Sequence, residues 1–199
     1  MKTFFISDLH FGHQNCLKFD SRPFDTIEEH DEELIRRWNS VVTDEDEVWV
    51  LGDVSWIKPA DTAALLHRLC GRKRLIVGNH DKRLLKNEAF CRCFEEIVPY
   101  KEIKIEKGLG VVLCHYPVPC FNHRFKGWLH LYGHVHMSGE WDMTEDMRKR
   151  FEAKGQRCEM INVGCMLPYM DYMPRTLEEI REGYDAFRRQ SEPAADAAV

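Results

Sequence analysis

Five short apolar runs in this sequence each lead into side chains of the types that bind metal ions. Together they carry seven carboxylate, amide and imidazole groups: Asp8, His10, Asp53, Asn79, His115, His134 and His136. Residues i and i+2 of an extended segment project to the same side, so each Asp-x-His or His-x-His pair can reach one region. Seven potential ligands are too many for one metal ion with room left for chemistry. They suit two metal ions that share one carboxylate, each with an open position for water or substrate.

Taken singly, each of these motifs is weaker evidence for a metal site. An isolated Asp-x-His segment has a structural role more often than a catalytic one, and the Gly-His-Val-His segment at Gly133 fits a zinc-binding pair or a turn. The Gly-Asn-His-Asp segment at Gly78 is more specific, because Asn and His after a glycine offer little to a core. His130 lies inside an apolar run, and we interpret it as a hydrogen-bonded core residue. One shared site is favoured, because the alternative requires five separate coincidences.

The elements that must position these residues alternate between strand and helix. Runs of β-branched and aromatic residues predict strands at 2–7, 47–51, 74–77, 111–114, 128–132 and 160–163. Residues 102–106 alternate in polarity and turn at 107–110, which predicts an antiparallel hairpin and therefore a mixed sheet. Periodic apolar residues and capping signals predict helices at 25–38, 60–69, 82–90, 144–153 and from the capping box at 176–179 to about residue 189. The alternation predicts an α/β fold.

Glycines precede three of the candidate ligands. Gly52, Gly78 and Gly133 come immediately before Asp53, Asn79 and His134. Because glycine tolerates backbone conformations that other residues avoid, we expect each of the three to give its turn the freedom needed to aim the next side chain inward.

Composition narrows the class of protein. A chain of 199 residues with 44% hydrophobic residues is the size of one domain, which we place at 1–190 with a disordered tail at 191–199. A net charge of −5 gives no extensive surface for nucleic acid. No apolar run reaches the length of a membrane span, no secretion signal is evident, and the eight cysteines are best interpreted as reduced thiols. These features predict a soluble, cytoplasmic protein.

The order of the motifs resembles that of the calcineurin-like metallophosphoesterases. The family signature runs D-x-H, G-D, G-N-H-[DE], H and G-H-x-H, and it is matched here between about residues 3 and 166. The D-x-H-F-G-H segment and the later Arg-Pro-Phe at 22–24 are similar to small bacterial and phage members. The resemblance implies a four-layer α/β/β/α sandwich of two mixed β-sheets flanked by helices.

The resemblance also implies how two divalent metal ions would be held. One would take Asp8, His10, Asp53 and His136. The other would take Asp53, Asn79, His115 and His134, with Asp53 as the bridge. Imidazole, carboxylate and amide ligands without thiolate suit several cations. The family favours Mn²⁺, while Fe, Zn²⁺, Ni²⁺ and Co²⁺ stay open.

The implied activity is hydrolysis of a phosphate ester by metal-activated hydroxide. His80 resembles the family's catalytic histidine, and Asp81 would orient it or cap the following helix. We expect His13, Arg22 and Arg124 to contact substrate, with support of a metal ligand as the alternative for His13 and a surface ion pair as the alternative for Arg22. The expected partner is a small phosphate ester or nucleotide, either a diester or a monoester, and the oligomeric state stays open. A non-catalytic interaction scaffold is the competing hypothesis.

Two segments stand outside the motifs. Residues 116–128 are rich in turn-forming and aromatic residues, and we expect them to form a loop over the metal ions that governs specificity. Residues 165–174 are rich in Met and Tyr and interrupt the expected path to the last helix. Packing in the core is their favoured role, because Met fills irregular gaps.

Overall fold

Two β-sheets form the centre of the fold. The computed structural model describes residues 1–191. From residue 192 onward, the predicted disordered tail lies outside the described residues. The strands are β1 (Thr3–Ile6), β2 (Glu47–Val50), β3 (Arg72–Ile76), β4 (Glu96–Val98), β5 (Tyr100–Glu106), β6 (Leu109–Cys114), β7 (Leu129–Tyr132), β8 (Met160–Asn162) and β9 (Arg175–Thr176). The helices are α1 (Cys16–Phe19), α2 (Ile27–Val41), α3 (Pro59–Leu66), α4 (Glu88–Cys91), α5 (Gly139–Glu152) and α6 (Leu177–Ser191).

Both sheets are mixed, as predicted. The first has the order β4-β3-β2-β1-β9, in which β1 to β4 are parallel and β9 is antiparallel to β1. The second has the order β5-β6-β7-β8, in which the β5–β6 hairpin is antiparallel and β6 to β8 are parallel. Helices flank the two sheets, so the predicted α/β sandwich is confirmed. No helix of residues 1–191 is long and apolar enough to cross a membrane.

The chain after β1 joins the two sheets. The Ser7 N–H donates to the Val163 carbonyl at 2.9 Å, and the Cys165 N–H donates to the Ser7 carbonyl at 2.9 Å. The Ser7 hydroxyl also donates to the Leu51 carbonyl, beyond the end of β2, at 2.7 Å. The carboxyl ends of strands from both sheets are therefore held at one edge, which is where ligand sites of α/β proteins form.

Local sequence accounts for the main elements. The side chains of β1 and β2 are almost all buried, and strands covered on both faces are written as continuous apolar runs. At the start of α2, the Thr26 hydroxyl accepts from the Glu29 N–H at 3.1 Å. At the start of α6, the Thr176 N–H donates to the Glu179 carboxylate at 2.8 Å, which confirms the predicted capping box.

The predicted helix at 82–90 is wrong. The structure has a 3₁₀-helix at Asp81–Lys86 and then the separate α4. Asn87 breaks the pattern, since its backbone is extended and its side chain accepts from the Phe90 N–H at 3.0 Å. Asn side chains that bond nearby backbone groups favour such caps over helix interiors. The short strands β4 and β9 and the short helix α1 were not predicted.

Residues 165–174 pack into the core, as their composition favoured. Cys165, Leu167 and Met170 are fully buried, and Tyr172 is nearly so. The Cys165 thiol contacts the Asp8 carbonyl at 3.1 Å, which places this segment directly behind the end of β1.

His130 is a buried core residue with both ring nitrogens occupied. It has no exposed surface, its Nδ1–H donates to the Val112 carbonyl at 3.0 Å, and its Nε2 accepts from the Val118 N–H at 3.0 Å. Burial lowers the pKa of His130 from 6.5 to about 4, and the backbone contacts oppose that shift only in part. The ring therefore stays neutral and anchors the start of the 116–128 loop.

This lowered pKa predicts a loss of stability in mild acid. As the pH falls, His130 of the unfolded chain takes up a proton near pH 6.5, whereas His130 of the folded protein does so only near pH 4. The contribution of neutral His130 to the free energy of unfolding is therefore complete above pH 6.5 and declines below it. Between about pH 7 and about pH 5 we expect a loss of roughly 1 to 2 kcal/mol in the free energy of unfolding that is absent in His130→Gln. Urea denaturation measures it, with His67→Gln on the exposed end of α3 as the control. Equal losses in wild type and His130→Gln would contradict this role of His130.

Candidate metal centre

The structure brings the predicted metal ligands together in two neighbouring groups. In each group, one ligand atom per residue lies within 4.8 Å of the others. The first group is Asp8, His10 and His136, and the second is Asp53, His115 and His134. Asn79 joins the second group, because its Oδ1 lies 3.0 Å from His115 Nε2 and 2.9 Å from His134 Nδ1.

Asp53 stands between the two groups. Its Oδ2 lies 3.5 Å from His115 Nε2 in the second group and 4.0 Å from His10 Nε2 in the first. The other oxygen, Oδ1, accepts from the His80 backbone N–H at 3.0 Å. One carboxylate oxygen thus faces both groups, a position from which Asp53 could be shared between two cations.

The backbone is strained at most of these positions. Asp8, His10, Asp53, His134 and His136 all have positive φ, between 51° and 71°. Such conformations are uncommon for residues other than glycine, and they persist only where surrounding contacts hold them. Two of those contacts link neighbouring strand ends. The Asp8 N–H donates to the Gly52 carbonyl at 3.1 Å, and the His10 N–H donates to the Asp53 backbone carbonyl at 3.0 Å.

The glycines before the ligands have two different roles. Gly52 has a φ of +91°, so the expected conformational freedom is found there. Gly78 and Gly133 do not have positive φ; they are needed for space. A Cβ on Gly78 would lie 2.3 Å from Asp53 Oδ1, and one on Gly133 would lie 2.0 Å from Ser7 Oγ. The expectation of freedom is therefore wrong at these two positions, where close approach decides.

The proton positions fit cations in both groups. His115 Nδ1 donates to the Leu51 carbonyl at 2.6 Å, so the lone pair on Nε2 faces the Asn79 oxygen, which is also an acceptor. His136 Nδ1 faces the Asp20 carboxylate at 2.8 Å, and its Nε2 lies 3.1 Å from His10 Nε2. Lone pairs that face one another at these distances repel unless a cation or a proton lies between them.

Protons compete with cations for these sites. Burial alone would lower the pKa of His115, but its contacts with Asp53 and Asp8 outweigh burial and raise that pKa to about 9. The pKa of His136 is also raised, because Asp20 and Asp8 outweigh burial. The pKa of His10 is well below its usual value because of burial and the nearby charge of Arg22. Metal binding must displace the protons of His115 and His136, so affinity rises with pH.

Asp20 supports the first group from behind and was not predicted. Both of its oxygens lie within 2.9 Å of His136 Nδ1, and it is held in turn by the Nε and NH2 groups of Arg22 at 3.0 and 2.8 Å. A carboxylate behind a ligating histidine fixes the ring orientation. No sequence pattern predicts this contact, because Asp20 and His136 are 116 positions apart in the chain.

The prediction that Arg22 contacts substrate is wrong. Its side chain has no exposed surface. Besides Asp20, the guanidinium donates to the Asp8 and Leu9 carbonyls at 3.0 and 3.1 Å and to His30 Nε2 at 2.8 Å. Arg22 therefore fixes the strand end that carries the ligands instead of reaching the open face.

The prediction for Arg124 is also wrong. Arg124 begins the 3₁₀-helix Arg124–Lys126 and is 6% exposed. Its guanidinium lies over the rings of Phe125 and Phe151 and donates to the Arg157 carbonyl at 3.3 Å. The Arg124 guanidinium is therefore occupied by packing contacts and is not presented to a substrate.

Asp81 is neither a partner of the His80 ring nor a helix cap. It is fully buried, and its carboxylate accepts from three backbone N–H groups, those of Asp53, Val54 and Gly78, at 2.8 to 3.0 Å. The predicted catalytic role of Asp81 is therefore replaced by a structural one: it ties the loop after β2 to the loop after β3.

His80 and His13 both lie beside the metal groups. The His80 side chain is 47% exposed, and its Nε2 lies 4.0 Å from Asp53 Oδ2. His13 is half-buried, stacked on Trp56, with its ring centre 5.4 Å from that of His10. The catalytic role of His80 and the substrate contact of His13 stay predictions.

Sequence comparison supports the same assignment. A family model described as calcineurin-like phosphoesterase matches residues 1–161, which include all seven candidate ligands. The chain belongs to the calcineurin-like phosphoesterase family. An uncharacterized protein of Methanocaldococcus jannaschii is 37% identical over 68% of this chain and 69% of its own length. The gene 66 protein of Mycobacterium phage L5 is 36% identical over 58% of this chain and 63% of its own length.

A solved structure supports the fold. A protein of unknown function from Aquifex aeolicus superposes with a TM-score of 0.67 at 28% identity, covering 90% of this chain and 97% of its own. The calcineurin-like phosphoesterase sandwich therefore extends over nearly the whole described chain, with two candidate metal groups at the joined strand ends.

The support that Asp20 gives to His136 predicts a metal-affinity defect. In this calcineurin-like phosphoesterase, Asp20→Asn weakens the hold on the ring while leaving all seven candidate ligands in place, and we expect metal affinity to fall about 10- to 100-fold. Competition with a chelating dye measures it. Asp44→Asn, which removes the same charge from an exposed loop before β2, is the matched control. Wild-type affinity in Asp20→Asn would refute the role of Asp20.

The crowding at Gly133 predicts a stability defect. A Cβ there would also lie 2.5 Å from Asp8 Oδ2, so Gly133→Ala must displace the end of β1. We expect the free energy of unfolding to fall by about 1 to 3 kcal/mol. Gly139→Ala is the control, because no atom lies within 4 Å of a Cβ built on Gly139. Chemical denaturation compares the two, and similar stabilities would show that the Gly133 site has spare room.

Proposed function

We propose that this chain hydrolyses phosphate esters with the help of two divalent cations. Asp8, His10 and His136 would hold one cation, and Asn79, His115 and His134 would hold the other, with Asp53 shared. The observation that carries the proposal is the position of Asp53 Oδ2, which faces both groups while the exposed ring of His80 lies 4.0 Å away. Cation sites, a bridging carboxylate and an accessible imidazole are the parts that this reaction requires.

The chemistry divides between the cations and the protein. When bound, a pair of cations supplies Lewis-acid activation of water and of the phosphate group. Asp8 and Asp53 provide the negative charge that retains the pair. The His80 backbone N–H donates to Asp53 Oδ1, so the backbone that carries the imidazole is held against the shared carboxylate. Its exposed ring can stabilise the developing charge or donate a proton to the leaving oxygen.

The donor set bears on the identity of the cation. The two groups supply imidazole, carboxylate and amide atoms and no thiolate, a combination that suits borderline to hard cations. We propose Mn²⁺ as the native ion, with Fe, Zn²⁺, Ni²⁺ and Co²⁺ as the alternatives to compare.

Metal depletion and restoration test the activity. The protein is treated with chelator, reloaded with each divalent ion and assayed with bis(p-nitrophenyl) phosphate as the diester and p-nitrophenyl phosphate as the monoester. We expect turnover that disappears on chelation and returns best with Mn²⁺. The ratio of the two rates then assigns the protein as a diesterase or a monoesterase.

The same assay tests His80. Removing a general acid or a charge-stabilising group lowers kcat by about 10²- to 10⁴-fold, and we expect a loss in this range for His80→Ala. His67→Ala, which removes an exposed histidine at the end of α3, should retain wild-type kcat. Absence of turnover with every ion, together with no difference in His80→Ala, would favour the non-catalytic scaffold.

A further inference from the structure

Two exposed aromatic side chains lie beside the candidate metal groups. Phe19, the last residue of α1, is 56% exposed, and Tyr116, just after β6, is 45% exposed. Large aromatic residues are usually buried because of the apolar area they carry. Their exposure leaves apolar ring surface accessible beside a charged site.

Each of the two rings contacts the ligands of a different group. Phe19 meets His136 and His10 of the first group with ring centres 5.5 and 6.4 Å apart. Tyr116 meets His134 and His115 of the second group at 4.6 and 5.2 Å. The aromatic surface therefore borders both groups.

Further rings extend the Phe19 side. His13 lies 5.5 Å from Phe19 and stacks on Trp56 with ring centres 4.0 Å apart and planes within 4° of parallel. Trp56 in turn lies 4.2 Å from His80, and Arg83 holds its loop by donating to the Trp56 carbonyl at 2.7 Å. We refer to Phe19, His13, Trp56 and Tyr116 as the aromatic rim.

The rim differs in chemistry from what the sequence led us to expect. The two arginines expected to contact substrate are committed elsewhere, Arg22 to the Asp8 strand end and Arg124 to Phe151. The bordering surface is therefore offered by flat rings. Aromatic faces bind other flat π-systems, and bases stack on them without a requirement for a particular base.

We propose that the aromatic rim is a subsite for a nucleobase, so that the substrate is a phosphate ester of a nucleoside. The inference rests on the proposed function, because the phosphate is placed at the cation groups. Phe19 and Tyr116 contact the base or the sugar face of the nucleoside, and the stacked His13 and Trp56 form a fixed platform on one side. Alkyl phosphates can bind at the cation groups, but stacking on the rim adds nothing to their affinity.

Two diesters with the same leaving group isolate the contribution of the rim. One is the p-nitrophenyl ester of thymidine 5′-monophosphate, and the other is methyl p-nitrophenyl phosphate. We expect kcat/KM to be at least about fivefold higher for the thymidine ester, with the difference mainly in KM, since stacking of one base has at least this effect. If only monoesters are turned over, thymidine 5′-monophosphate and methyl phosphate replace the pair, with phosphate release as the assay.

Variants assign the preference to the rim. In Phe19→Ala and in Tyr116→Ala, the ratio of kcat/KM for the two substrates should fall about fivefold or more. Phe19→Tyr and Tyr116→Phe keep the ring and should retain the ratio. Phe125→Ala is the matched control: Phe125 is 73% exposed and lies on Arg124, and no ring contact joins it to a candidate ligand within residues 1–191.

Binding gives a second readout that does not depend on turnover. Calorimetric titration of the metal-loaded protein should give a lower Kd for thymidine 5′-monophosphate than for inorganic phosphate, and Phe19→Ala should remove most of that difference. Turnover of both esters with equal constants, or an unchanged ratio in both alanine variants, would overturn the nucleobase subsite and leave the proposed function intact. Absence of turnover with either ester or monoester would instead count against the proposed function.

Discussion

The negative charges of Asp8 and Asp53 must be compensated where the two sheets meet, and the surrounding structure depends on that requirement. Both side chains are shielded from water. An isolated carboxylate in such a position is very costly unless it is paired or binds a metal ion. Imidazoles surround the two carboxylates, and without a cation the raised pKa values of His115 and His136 let protons take its place. We therefore expect bound cations to stabilise this edge of the fold in competition with protons.

Several charged residues serve the ligands without touching a substrate. Arg22 donates to the Asp8 and Leu9 carbonyls, and Asp81 accepts from the loops after β2 and β3. These buried bonds hold the strained backbone of the ligand positions, which is how strain persists at a functional site. With Arg22 and Asp81 occupied in this way, the proposed function assigns contact with a substrate to His80 and to the aromatic rim.

The sequence predicted which side chains gather at the candidate metal centre more reliably than it predicted the contacts around them. The apolar strands before Asp8 and His134 were sufficient to predict that these residues lie at one edge of the sheets. The extended i, i+2 spacing is not what aims the side chains, because Asp8, His10, His134 and His136 have positive φ and His134 and His136 lie in different groups. Arg22 was misassigned although most of its partners are close in the chain, because no sequence pattern shows that its loop folds back on Asp8 and Leu9. Arg124 and Asp81 were misassigned because partners such as the Phe151 ring and the Asp53 N–H come from distant parts of the chain. Asp20 was missed for the same reason, and the role of Gly133 depends on Ser7, which only the tertiary structure brings close. The break at Asn87 shows that one local side-chain bond can override a helical pattern.

Anomalous diffraction from crystals of the Mn²⁺-loaded protein tests the shared-carboxylate metal centre most directly. A dinuclear centre predicts two anomalous peaks about 3.5 to 4 Å apart, one beside Asp8, His10 and His136 and the other beside Asn79, His115 and His134. An oxygen of Asp53 should lie between them. A single peak, or two peaks with no Asp53 oxygen in contact with both, would contradict it.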